Sequence, residues 1–375
     1  MIAYLRTIAL LTIASVWISH SRATGLDISR EDGSAFALVT GSGEQADFPN
    51  GSASVQKVID CGNETDEARR ESVDTLKSYR KRAESDPETY LPGVAATLND
   101  LGIIDGDQNR IGSARKEFEE ALEIYRKLAQ QEATVYLRFV ATTRNNLGIL
   151  VGNPRRLEEA LAICRDLGNK DRPGYLPYIA LTLNNLGILY ADKNRLLEAR
   201  EKYAEALTIY GELAKQSPGS YLPFAPMILN NEGFIDSALG RYQEAWKECS
   251  EALKIYRQMA QEDPEFYLSH VAITLNNLGI IASNRDQPDE AGRKYEEALK
   301  IYRYLAEESP ETSLPYVAAT LGNLGLLHLR ERQSREARKA LEEALKIYNS
   351  LAKEDANQFV PLAEHMKILL KRLPN

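Results

Sequence analysis

The stretch from Tyr267 to Thr312 shows the hydrophobic pattern of this chain most clearly. Leu268, Val271, Ala272, Leu275, Leu278, Gly279 and Ala282 fall at steps of three and four, on one face of a helix. A polar stretch follows, Ser283 to Asp289. Ala291, Tyr295, Ala298, Leu299, Tyr302, Leu305 and Ala306 then mark a second helical face. Ser309-Pro310 ends that helix, because proline lacks an amide donor and turns the preceding residue from helical geometry. Asp86-Pro87, Ser217-Pro218 and Asp263-Pro264 stand at the same place elsewhere. Pro92, Pro177, Pro223 and Pro315 fall near the first turn of a first helix, where proline is tolerated.

This helix–turn–helix unit recurs. Its openings are Tyr90, Tyr136, Tyr175, Tyr221, Tyr267, Ser313 and a partial one at Phe359, spaced 46, 39, 46, 46, 46 and 46 residues apart. A single hairpin cannot bury its apolar face, so units with a fixed period stack. The pattern predicts an all-α protein, an α-solenoid of stacked hairpins. The repeat from Tyr136 is seven residues short. With Ala160 and Cys164 aligned to Ala114 and Phe118, the loss falls between Ala160 and Tyr175. Seven residues are about two turns, so the second helix shortens in phase, ended by Gly168 and Pro173. The stack is expected to continue through this point with a notch on its outer edge.

The repeats share further residues. Leu-Gly closes each first-helix phrase, at Gly102, Gly148, Gly187, Gly279 and Gly325, with Glu232-Gly233 as the exception. Ala114, Ala199, Ala245, Ala291 and Ala337 open the second helix, and Ala121, Ala206, Ala252, Ala298 and Ala344 follow a large residue such as Phe118, Tyr203, Tyr295 or Leu341. These residues resemble the tetratricopeptide repeat, over about residues 66–375. The usual period is about 34 residues, and the longer one here is similar to the kinesin-light-chain type. The resemblance implies a right-handed superhelix whose first helices line a concave, peptide-binding surface.

Composition adds organisation. Arg6, the apolar stretch Thr7 to Ile18 and Ser21-Arg22-Ala23 read as a secretory signal over 1–23, too short for a usual membrane span. Uncleaved, residues 7–18 would anchor the chain to a membrane. Residues 24–65 read as a flexible segment with several glycines, and Asn50-Gly51-Ser52 and Asn63-Glu64-Thr65 fit the glycosylation pattern. The array spans 66–358, a half-repeat over 66–89 and repeats from 90, 136, 175, 221, 267 and 313. Residues 359–375 form a capping helix, where Lys367, Lys371 and Arg372 interrupt the apolar pattern. The formal charge is −8, or −10 without residues 1–23. That balance argues against nucleic-acid binding, which needs a basic footprint. Acidic pairs such as Glu119-Glu120 and Glu296-Glu297 read as a solvated outer face with lysine partners such as Lys300.

Little points to catalysis. Cys164 and Cys249 read as buried thiols, two repeats apart and beyond bridging distance; Cys61 lies outside the array. His20, His270, His328 and His365 show no metal-ligand spacing. No phosphate loop or nucleophile elbow is present, so no cofactor or metal is implied. Nineteen tyrosines are mostly repeat positions and therefore packing. Glu232 stands at an expected core position, with Asp236 at i+4 on the same helix face. An unpaired buried carboxylate is costly, and Arg241 or Lys247 would compensate it.

The asparagines carry the strongest functional signal. Asparagine is a mediocre helix former, so a row of it on first helices needs a reason. The resemblance places Asn146, Asn185, Asn231, Asn277 and Asn323 at the peptide-binding ladder position, with Asp100 departing. Asn99, Asn145, Asn184, Asn230 and Asn276 precede them as secondary candidates, and Gly322 breaks that row. An amide both donates and accepts, so it can pair with any peptide backbone. The competing role is a bond to a neighbouring helix that sets repeat register. Together these features predict a non-catalytic scaffold outside the cytoplasm that binds a protein or peptide segment in a concave groove. The alternative is a self-associating component of an envelope assembly. A weaker one is an enzyme using Glu232 and Asp236.

Overall fold

A computed structural model describes residues 62–169, 171–216, 221 and 223–374. The signal, Asn50, Cys61 and His20 lie outside the described residues. Fourteen helices run through those that are described, and the main long-range packing is helix on helix. They divide between Leu222 and Pro223 into two compact units. The first holds α1 (Gly62–Ala83), α2 (Pro87–Asp107), α3 (Ile111–Gln131), α4 (Ala133–Leu150), α5 (Pro154–Gly168), α6 (Arg172–Asp192) and α7 (Leu196–Gln216). The second holds α8 (Phe224–Ala238), α9 (Tyr242–Glu262), α10 (Pro264–Asn284), α11 (Pro288–Glu308), α12 (Pro310–Arg330), α13 (Ser334–Leu351) and α14 (Ala356–Lys371). In each unit every helix packs against the next in sequence, the stacking of an α-solenoid.

First helices begin earlier than the Tyr-Leu-Pro openings. Asp86, Asp171, Asp263 and Asp355 are N-caps, each accepting from the backbone N–H three residues on. Pro87, Pro264 and Pro310 then sit at the first helical positions, so the proline that ends one helix starts the next. Pro92, Pro177 and Pro315 consequently lie inside their helices rather than in the first turn. The hairpin turns share one geometry. Asn109, Gly152, Asn194, Gly240, Asp286 and Arg332 all have positive φ, between 58° and 78°. The next residue's N–H closes back onto the first helix, as Arg110 does to Asp105 O at 2.7 Å and Arg241 to Asp236 O at 2.7 Å.

Glycine lets the two helices of a hairpin touch. A Cβ on Gly279 would fall 2.5 Å from Tyr295 Cε1, and Gly187 stands in the same relation to Tyr203 at 2.5 Å. Gly102 meets Phe118, Gly233 meets Cys249 and Gly325 meets Leu341. In the short repeat Gly148 meets Leu157, and this corrects the alignment read from the sequence. Leu157 takes the large position, Ala160 the second alanine and Cys164 the position of Tyr125. The seven missing residues therefore come from the hairpin tip, the end of α4 and the start of α5, not from the region after Ala160. The tip is lost because Gly152 and Pro154 make the turn a helical turn early on each side. The α5 helix still packs on α4 and α6, so the stack passes through Gly168 unbroken.

Tyrosines join successive hairpins. Tyr125 stacks on Phe139 at 5.1 Å between centroids, Tyr302 on Tyr316 at 5.3 Å, and Tyr256 against His270 at 4.9 Å. At the C-terminal end, Lys371 and Arg372 are exposed and Lys367 pairs with Glu364, so charge covers the last helix. Val360 and Ile368 are also exposed there.

The glycine contact predicts opposite effects at two positions in the second unit. Gly279→Ala should lower stability to urea by about 1–3 kcal/mol through overpacking. At Gly292 a Cβ would meet Leu327 Cδ2 at an ordinary 3.8 Å, so Gly292→Ala should raise stability by about 0.5–1 kcal/mol.

Candidate functional site

Within each unit the two asparagine rows are joined by hydrogen bonds. The second asparagine of a repeat donates its amide N–H to the first asparagine of the repeat before. Asn146 Nδ2 reaches Asn99 Oδ1 at 3.4 Å, and Asn185 Nδ2 reaches Asn145 Oδ1 at 3.3 Å. Asn277 Nδ2 reaches Asn230 Oδ1 at 3.1 Å, and Asn323 Nδ2 reaches Asn276 Oδ1 at 3.0 Å. Thr143 and Thr320 add hydroxyl bonds to the same acceptors, at 3.4 and 3.5 Å. The amides thus bridge successive first helices, which is the register role. Asn99, Asn145, Asn146, Asn184, Asn185, Asn276 and Asn323 are buried, whereas Asn230, Asn231 and Asn277 are half-buried.

Asp100 breaks the pattern chemically. A carboxylate cannot donate to a ladder, and its buried Oδ1 has no hydrogen-bond partner. Burial pushes its pKa up to about 7.

The amide row has apolar borders. Three residues after Asp100 and each second asparagine stand Ile103, Ile149, Ile188, Phe234, Ile280 and Leu326; four residues before the asparagine stand Leu181, Met227 and Ile273 in three repeats. Most of these are half-buried while their neighbours on the same helices are fully covered. Spacings of three and four place each set on one helix face with its amide. The packing of the described residues leaves that stripe partly open.

The outer edge carries a second set of links that sequence reasoning missed. Arg80 pairs with Glu120 at 2.6 Å and Arg303 with Glu343 at 2.6 Å; Arg165–Glu205 and Arg257–Glu297 repeat the contact. Each spans 40 residues, from one second helix to the next, so arginines of the preceding repeat join lysines of the same helix, such as Lys127 with Glu123, as partners of the acidic face. The signal was an arginine returning with the repeat period. Such half-exposed pairs contribute about 0–1 kcal/mol each.

Glu232 and Asp236 are both buried, at 5% and 0% exposure, and Arg241 Nη1 lies 3.5 Å from Asp236 Oδ1. An enzyme built on them would need an opening that both line. The nearby cleft of about 410 Å³ is lined by Gly240, Arg241, Tyr242, Gln243, Glu244, Arg285 and Gln287, and by neither acid. Among the described residues no group of three or more His, Cys, Asp or Glu could hold a metal. Cys164 and Cys249 are free, buried thiols, and burial raises the pKa of both, that of Cys164 to about 12. No described helix is long and apolar enough to cross a membrane.

Two tetratricopeptide-repeat family models match, one over residues 94–132 and 179–217 and the other over 270–350. The chain therefore contains tetratricopeptide repeats, a fold consistent with a protein–protein interaction scaffold. No curated protein matches it. Among solved structures it is similar to BtubC (BKLC) from P. vanneervenii, at 19% identity over 76% of this chain and 92% of that one, with a TM-score of 0.41. A tetratricopeptide repeat protein from Parabacteroides merdae shows 17% identity over 83% and 98%, with a TM-score of 0.41. Yeast Tom70 shows 12% identity over 98% of this chain and 73% of that one, with a TM-score of 0.47.

If the amides set register, Asn276→Ala should cost about 1–3 kcal/mol, because the Asn323 amide is left buried without its acceptor, and Asn323→Ala should cost less, about 0.5–1.5 kcal/mol, because Asn276 keeps the Thr320 hydroxyl. The double mutant should cost less than their sum, as for residues in contact. Urea denaturation of the four proteins measures this, and strict additivity would contradict it.

Proposed function

We propose that this protein is a non-catalytic scaffold, built of long repeats of the kinesin-light-chain-like form, that holds a polypeptide segment against its first helices outside the cytoplasm. One observation carries the binding half: the stripe of half-buried apolar residues beside the amide row, which the chain's own packing leaves partly open. Apolar side chains supply affinity by losing water, at about 25 cal/mol per Å². The half-buried Asn231 and Asn277 supply polar groups that fit any backbone. A groove of this composition suits an extended or helical segment better than a small molecule. The export half rests on Arg6, the apolar Thr7 to Ile18 and Ser21-Arg22-Ala23.

A photo-crosslinking residue at Ile280 tests the groove whatever the identity of the partner. It should capture a protein adduct in the native host, and Phe234→Ala in the same chain should weaken capture about ten-fold or more. The same residue at Arg303, on the outer edge, should capture none. Adducts from position 303 alone would overturn the reading. N-terminal sequencing of the exported protein should begin near Thr24; a cytosolic product retaining Met1 would remove the export half and leave the groove untouched.

A further inference from the structure

We propose that Asp100 selects the segment held in the groove by taking one of its lysine or arginine side chains, a role that rests on the groove reading above. Asp100 stands in α2, the first helix of the first full repeat. From Pro92 to Asp105 only Ala96, Asp100 and Ile103 are partly exposed, at steps of four and three on one helix face. The carboxyl therefore lies in the open stripe itself, one turn from each apolar neighbour. One of its atoms is nevertheless covered. Oδ1 is buried and meets no hydrogen-bond donor among the described residues. Two other buried aspartates, Asp105 and Asp236, each meet an arginine. No ion pair among the described residues includes Asp100.

The amide ladder explains why a carboxyl is tolerated there and why it is left bare. Asn146, Asn185, Asn277 and Asn323 each donate to the first asparagine of the repeat before. Before α2 stands α1, which has the pattern of a second helix. No described first helix therefore offers residue 100 an acceptor, and nothing requires it to donate. A carboxyl can then replace the amide, but it needs a donor of its own. Burying a carboxylate without one is costly. Burial accordingly pushes the Asp100 pKa up to about 7, with no neighbouring cation holding it down.

A basic side chain of the segment supplies the donor and the opposite charge in one group, and charge-assisted bonds are stronger than neutral ones. The surroundings suit its shape. Four residues before the ladder position, three later repeats carry Leu181, Met227 and Ile273, where α2 has the small Ala96. The missing bulk leaves room for an aliphatic stem, and Ile103 gives that stem an apolar surface. The formal charge of the chain, −8, draws basic segments and repels acidic ones. A single charged contact at the first repeat also fixes which part of the segment lies there, which the amides alone cannot do, since they fit any backbone.

Selection of a displayed library of random short peptides on the full chain, beside Asp100→Asn, tests this. Peptides enriched on the unmodified chain should carry lysine or arginine at one fixed position, and those enriched on Asp100→Asn should not. For one such peptide, Asp100→Asn should weaken binding about ten-fold or more, and so should replacement of its basic residue by methionine. The two changes together should cost little more than either alone, as for a pair in contact. The melting temperature of Asp100→Asn should stay level or rise, because a buried charge is removed, so weaker binding cannot come from lost fold. Enriched peptides without a basic position, or fully additive effects of the two changes, would overturn this inference and leave the groove reading standing. A library that yields no binder on either chain would overturn both.

Discussion

Each hairpin in this protein depends on a contact in which one side has no side chain. Where a glycine of the first helix faces a ring or branched chain of the second, the two axes approach until the large residue lies against bare backbone. Tyr203, at 1% exposure, and Tyr295, at 3%, owe their burial to that approach. Everything between hairpins is placed by it. Helices held at one fixed distance present their outward side chains at one fixed position per repeat, and only then can a single residue type link neighbour to neighbour.

Three such links follow, at three depths. Tyrosines of the second helices stack on aromatic residues of the next first helix, inside the core. Asparagine amides bridge first helices on one side. Arginine–glutamate pairs bridge second helices on the other, in contact with water. The first contributes most through area, the second through the cost of leaving a buried amide unmade, and the third least, because solvent screens it. The amide bridge also limits what the asparagines offer a ligand. A side chain that donates to its neighbour keeps only part of its bonding capacity, so affinity in the proposed groove rests on the apolar borders more than on the ladder.

Buried charge is handled in the same repetitive way. Asp105 and Asp236 both stand where neighbouring repeats carry tyrosine, alanine or histidine, and each has an arginine five residues on, in the turn. Tyr190 keeps the pairing as a ring under Arg195, with the guanidinium 4.2 Å from the centroid, and His328 keeps it with Gln333 at 2.6 Å. One structural position, at the last turn of the first helix, thus accepts very different chemistry as long as the residue in the turn complements it.

The repeat period, the hairpin, the all-helical class and the glycine positions were legible in the chain itself, because each leaves a mark at a fixed spacing: apolar steps of three and four, and a phrase that returns every 46 residues. The short repeat was misplaced because Ala160 and Cys164 matched the pattern at full-length spacing by coincidence; only the contact of Gly148 with Leu157 shows that the hairpin tip was lost. The asparagine rows were visible, but which atom bonds to which was not, since a period gives a face and not a partner. Tertiary structure alone decided that the amides bind one another across repeats, that arginines of one repeat hold acids of the next, and that Arg69 of α1 holds Asp105. Those are contacts between residues tens of positions apart, and their geometry exists only once the hairpins have stacked.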